Sequence, residues 1–178
     1  MTGSAYFMTT TAEAIETHTL VVEVDNEPGV LARVVRLFSG RGYNIESLTV
    51  SETQHAEHVS RITVVTTGTK SVIEQIKAQL DRLVPVHKVV DLTETGKALE
   101  RELMLIKVRG GGDHRAEALR IADAFRARVI DATVESFVFE ITGRGEKLDQ
   151  FIELMRPIGL VEVSRTGIAA MPRGPEGL

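Results

Sequence analysis

From Thr17 to Asp25 the apolar residues Leu20, Val22 and Val24 alternate with Val21 and Glu23. That period of two sets them on one face of a strand. Past Asp25 the period changes. Val30, Leu31, Val34, Val35 and Phe38 recur at helical spacing and predict a helix from about Pro28 to Ser39, with Pro28 in its first turn and Gly40 as its stop. A strand over about Tyr43 to Glu52 follows, then a polar loop from Thr53 to Glu57. The next strand, His58 to Thr67, carries Val59, Ile62, Val64 and Val65. Thr69 or Ser71 caps a second helix, striped by Ile73, Ile76, Leu80 and Leu83 and ended by Pro85. Val86, Val89, Val90 and Leu92 make a fourth strand.

The order strand, helix, strand, strand, helix, strand is a ferredoxin-like unit, and it then restarts. Leu103 to Val108 is a strand, and Gly110-Gly111-Gly112 a turn before a helix capped by Asp113. Val129 to Val134 and Phe137 to Thr142 form a hairpin. A last helix, striped by Leu148, Phe151, Ile152 and Met155, stops at Pro157, and Leu160 to Ile168 is the last strand. The predicted class is α+β, two ferredoxin-like βαββαβ domains in tandem. The expected division is a loose leader over 1–16, a first domain over 17–92, a linker over 93–101, a second domain over 102–170 and a loose tail over 171–178.

Composition narrows the functions open to this fold. The 178 residues carry 21 basic and 25 acidic side chains in mixed order, so no strong field favours nucleic acid or anionic lipid. The strand from His58 to Val65 has no aromatic on which an RNA base could stack. Cysteine is absent, which removes disulfides, thiolate metal sites and thiol nucleophiles and suits the cytoplasm. No apolar run approaches the roughly 18 residues of a membrane span. His55 and His58, near Glu52 and Glu57, surround a loop and read as solvated rather than as metal ligands; His18, His87 and His114 stand isolated in sequence. No activated nucleophile or acid–base pair stands out. A small-molecule sensor survives these exclusions.

Its candidate pocket is the turn Asp25-Asn26-Glu27-Pro28-Gly29-Val30-Leu31. A strand that turns into a helix there presents backbone N–H groups at the positive end of the helix dipole. Gly29 lets an anion approach them closely. An α-amino acid would place its carboxylate on the N–H groups of Gly29, Val30 and Leu31 and its ammonium against the side-chain oxygens of Asn26 and Asn44. Val30, Leu31 and Ile45 would line an apolar slot. The same residues also serve a plain strand-to-helix turn, and spacing alone leaves both readings open.

Three stretches carry a resemblance. Asn26-Glu27-Pro28-Gly29-Val30-Leu31, the run from Leu37 to Val50 containing Arg41-Gly42-Tyr43-Asn44-Ile45-Glu46-Ser47-Leu48, and Arg101-Glu102-Leu103-Met104-Leu105-Ile106-Lys107-Val108 resemble the regulatory subunits of acetolactate synthase. The first domain is similar to the ACT family of amino-acid-sensing domains, and the match runs from about Thr17 to Ala170. The resemblance implies a non-catalytic subunit of branched-chain amino acid biosynthesis. Such a subunit activates a large catalytic subunit and confers feedback inhibition by valine. Thiamine diphosphate, magnesium and FAD would sit on that partner, with no cofactor in this chain. The resemblance further implies a homodimer through the ACT domain, with Asn26, Gly29, Val30 and Leu31 from one copy and Asn44 and Ile45 from the other. The second domain, which lacks an Asn-x-Pro-Gly turn, is expected to serve contacts or activation. Two rivals stay open: a free-standing sensor of another enzyme or a transcription factor, and an assembly subunit that binds no amino acid.

Overall fold

The computed structural model describes residues 13–54, 56, 58–96 and 98–178. Of the expected leader, 1–12 lie outside these residues, as do His55 and Glu57 of the polar loop. The first unit is β1 (Ile15–Asp25), α1 (Val30–Ser39), β2 (Ser47–Gln54), β3 (Val59–Thr69), α2 (Lys70–Leu80) and β4 (Val86–Asp91). Its antiparallel sheet has the order β2-β3-β1-β4. Leu20, Val22, Val24, Ile62 and Val64 on one sheet face meet Val30, Val34 and Phe38 of α1 and Ile73, Ile76 and Leu80 of α2 in a continuous aliphatic core. Thr69 caps α2 by accepting from the Val72 N–H, as its position predicts.

The second unit repeats the order with β5 (Ala98–Arg109), α3 (Gly112–Phe125), β6 (Arg128–Ala132), β7 (Ser136–Gly143), α4 (Gly145–Gly159) and β8 (Leu160–Arg165), followed by β9 (Ala169–Pro172). The fold is therefore α+β with two ferredoxin-like units in tandem. Met104, Ile106, Phe139 and Ile141 of its sheet pack on Leu148, Phe151 and Met155 of α4, and the Phe139 and Phe151 rings meet edge to face at 6.3 Å.

Several local expectations need correction. Asp113 does not cap α3: the helix begins at Gly112 behind Gly111 and has no side-chain cap. Pro157 does not stop α4, which runs on to Gly159, because a proline in the last turn forfeits little of the hydrogen-bond ladder. Gly40 closes α1 in a right-handed conformation, and the left-handed residue is Gly42 at φ 72°. His18 and His87 are not isolated. His18 Nδ1 donates to the buried Asp91 carboxylate at 2.7 Å, and His87 Nε2 to Asp25 at 2.7 Å.

The largest difference joins the two units. Residues 98–101, expected in a linker, are the first third of β5, and Met171 and Pro172, expected in a tail, belong to β9. Ala98 to Arg101 pair antiparallel with Ala169 to Pro172 in a short ribbon. This ribbon covers the face of the first sheet that carries no helices, where Ala170 packs with Val21 and Leu92. Thr49 Oγ1 donates to the Ile168 carbonyl at 3.0 Å, and the Ile168 N–H donates to Ser47 Oγ at 2.9 Å. Gly167 permits the approach: it sits at φ 85°, and a Cβ there would stand 2.8 Å from Ser47 Oγ and 2.9 Å from Thr49 Oγ1. Gly167→Ala should break both hydrogen bonds and strain the backbone. The expected loss is about 2 kcal/mol, measured by urea unfolding.

Candidate functional site

β1 ends at Asp25, held by its N–H to the Pro85 carbonyl, and the Asn26 N–H donates to the His58 carbonyl at 2.6 Å. The chain then turns at Pro28-Gly29 into α1. Gly29 has φ 91° and ψ −8°, a left-handed conformation that side chains adopt only with strain, and nothing lies within 4 Å of where its Cβ would stand. Among the described residues no side chain caps α1. The Val30 N–H reaches only the Glu27 carbonyl, at 3.4 Å, so the first turn keeps donors available to an outside acceptor. Arg33 pairs with Glu27 at 3.7 Å and draws that carboxylate toward itself. An open glycine and uncapped N–H groups at a positive helix end fit a carboxylate.

Asn26, Gly29 and Leu31 are exposed, Leu31 by 40%. Val30 is not a pocket wall. It is 3% exposed and packs into the core, so only its backbone N–H can serve a ligand. Asn44 is exposed and Ile45 half-buried, in the loop before β2. Thr66 Oγ1 donates to the Asn44 carbonyl at 2.6 Å, which pins the Asn44 backbone and leaves its side chain to solvent. The two segments do not meet within one chain. Asn26 is tied to His58 and Asn44 to Thr66, at opposite ends of β3, about 25 Å apart at the rise of a strand. Among the described residues no cluster of His, Asp and Glu could hold a metal ion, and no helix is long and apolar enough to cross a membrane.

Sequence comparison places this turn in a family. Residues 20–88 match the AHAS small subunit-like ACT domain, and residues 101–174 match the small subunit of acetolactate synthase. A probable acetolactate synthase small subunit of Archaeoglobus fulgidus is 46% identical over 88% of this chain and 97% of its own length. The chain belongs to the acetolactate synthase small-subunit family. The small subunit of Mycolicibacterium smegmatis is 43% identical over 91% of this chain and 94% of its own. The crystal structure of the Thermotoga maritima small subunit superposes with a TM-score of 0.82 at 38% identity, covering 90% of this chain and 99% of that one. The ACT match spans both the Gly29 turn and the Asn44 loop. The small-subunit match takes in β9 and, of the ribbon segment of β5, Arg101.

Proposed function

We propose that this chain is the regulatory subunit of an acetolactate synthase in branched-chain amino acid biosynthesis, working in the cytoplasm. It raises the activity of a catalytic large subunit that carries thiamine diphosphate, magnesium and FAD, and it confers feedback inhibition by a bound branched-chain amino acid, valine foremost. The observation that carries the reading is the uncapped start of α1 at Gly29, open to solvent and shaped for a carboxylate.

The separation of the two half-sites favours a dimer. Since Asn26 and Asn44 lie at opposite ends of β3, a second copy beside the first supplies Asn44 and Ile45 to the Gly29 turn. β2 is an edge strand of the sheet, and exposed apolar residues lie on α1 and on β2, Leu31 at 40% and Val50 at 42%. An unpaired edge with apolar neighbours is suited to pairing with a copy of itself. An effector that bridges two copies stabilises the arrangement in which both halves meet, and that differential affinity is what a catalytic partner senses.

The deciding experiment is reconstitution with a thiamine-dependent large subunit. Activation by the chain, and inhibition by L-valine only when the chain is present, is the expected result. A chain that binds valine but neither co-purifies with nor activates the large subunit is a free-standing sensor. Asn44→Ala removes a hydrogen bond to the ligand ammonium, worth about 1.5–3 kcal/mol. The valine concentration for half-inhibition should rise at least tenfold in a titration of the reconstituted enzyme.

A further inference from the structure

A cavity of about 400 Å³ lies where the ribbon crosses the helix-free face of the first sheet, on the other side of the sheet from the helices that include α1. Its size is that of a small-molecule site. One wall is the sheet, presenting the hydroxyls of Thr49, Ser51 and Thr63; the other is the ribbon, presenting Leu99, Ala169 and Met171. Two guanidinium groups, Arg61 and Arg101, also line it, and among the described residues no carboxylate does.

Neither guanidinium is saturated. Arg61 reaches Glu23 with one terminal nitrogen, at 3.3 Å. Its Nε is buried with no hydrogen-bond partner, the single such side-chain atom among the described residues. Buried donors are nearly always satisfied, so the orphan marks Arg61, which lines the cavity, as a guanidinium short of acceptors. Arg101 donates only to the Glu100 carbonyl and makes no ion pair among the described residues. Counting Glu23 against the two arginines leaves one positive charge in excess. A single anionic group balances it, and the apolar ribbon wall suits a hydrocarbon chain. An ammonium would be repelled by both arginines, so the chemistry differs from that of an amino acid.

We propose that this cavity is a second ligand site, distinct from the Gly29 turn, for a small monocarboxylate that bears an apolar chain and no amino group. The carboxylate takes hydrogen bonds from Arg61, Arg101 and the hydroxyls of Ser51 and Thr63, and the chain lies against Leu99, Ala169 and Met171. A ligand there touches both units at once.

The test is calorimetric titration of the full chain with hexanoate, alongside acetate, hexanol and L-valine as probes. Saturable binding of hexanoate is expected, with acetate and hexanol each binding at least tenfold more weakly because each lacks one half of the recognition. L-valine should not displace hexanoate. Arg101→Gln, at an exposed position, should weaken hexanoate about tenfold or more, and Ala169→Phe should abolish binding by filling the cavity. Gly29→Asp should leave hexanoate binding unchanged, which separates this site from the proposed effector turn. Absence of saturable hexanoate binding to the folded wild-type chain would overturn the proposal, as would binding that neither Arg101→Gln nor Ala169→Phe alters.

Discussion

Gly29→Asp should abolish valine inhibition of the reconstituted enzyme while leaving activation by this chain in place. At φ 91° the backbone suits glycine, yet aspartate is among the residues that visit the left-handed region, and nothing within 4 Å obstructs a Cβ. The cost to stability is therefore small, about 1 kcal/mol, or a fall of roughly 2–4 °C in Tm. The cost to binding is large. The new carboxylate occupies the start of α1, takes its open N–H donors for itself and repels the ligand's own carboxylate. Gly29→Ala supplies the control, since it adds a methyl group and similar strain without charge. Inhibition curves for the alanine variant should shift to higher valine concentration but still reach completion, whereas those for the aspartate variant should be flat. Equal loss in both would mean that backbone conformation, and not anion recognition, is what the turn contributes.

The second large effect falls on stability. Glu102, near the start of the second unit, is almost wholly buried and is gripped by Arg165 of β8 through two hydrogen bonds of 2.9 and 2.5 Å. Arg165 also donates to the exposed Asp149 at 2.6 Å. The hydrogen bonds to Glu102 raise the guanidinium above its ordinary value against the opposing effect of partial burial, so it stays charged throughout the range in which proteins are handled. Arg165→Met removes the partner and strands a buried carboxylate. Breaking a buried pair on one side costs about 3 kcal/mol, a drop of roughly 6–12 °C in Tm for a chain of this size. Replacing both partners, as in Glu102→Leu with Arg165→Met, should recover most of that loss, because the desolvation of two charges disappears with their attraction. Thermal unfolding of the single and double variants distinguishes a pair that stabilises outright from one whose halves are costly only when separated.

The two βαββαβ units were legible because their cores follow simple periods: Leu20, Val22 and Val24 along a strand, Val30, Val34 and Phe38 along a helix. The Thr69 cap was legible for a similar reason, since one side chain and one N–H three residues on define it. The ribbon was not. Its strands are four residues each, one holds a proline, and their partners lie about seventy positions apart, so no local period marks them. The charge-rich start of β5 looks like a linker because Glu100 and Arg101 serve a seam rather than a core; Thr19 Oγ1 donates to Glu100 at 2.7 Å. At the candidate site, Gly29 was legible from the turn it makes. Val30 belongs both to the turn and to the core stripe, and its side chain follows the stripe inward rather than lining the pocket. Arg61 and Arg101 left no motif, since only the crossing of the ribbon over the sheet brings them to one cavity.

The central claim is that valine binds at a site built from the Gly29 turn of one copy and the Asn44 loop of another. Calorimetric titration with L-valine tests it most directly on three samples: Gly29→Asp alone, Asn44→Lys alone, whose added cation repels the ligand ammonium, and the two variants unfolded and refolded together. Each variant alone should bind no valine, because both of its sites carry the substitution. In a mixed dimer one site collects both substitutions and the other is intact, so random pairing should restore about a quarter of the wild-type sites, at wild-type affinity. Absence of valine binding in the refolded mixture, with mixed dimers shown to be present, would place the whole site within one chain and contradict the account.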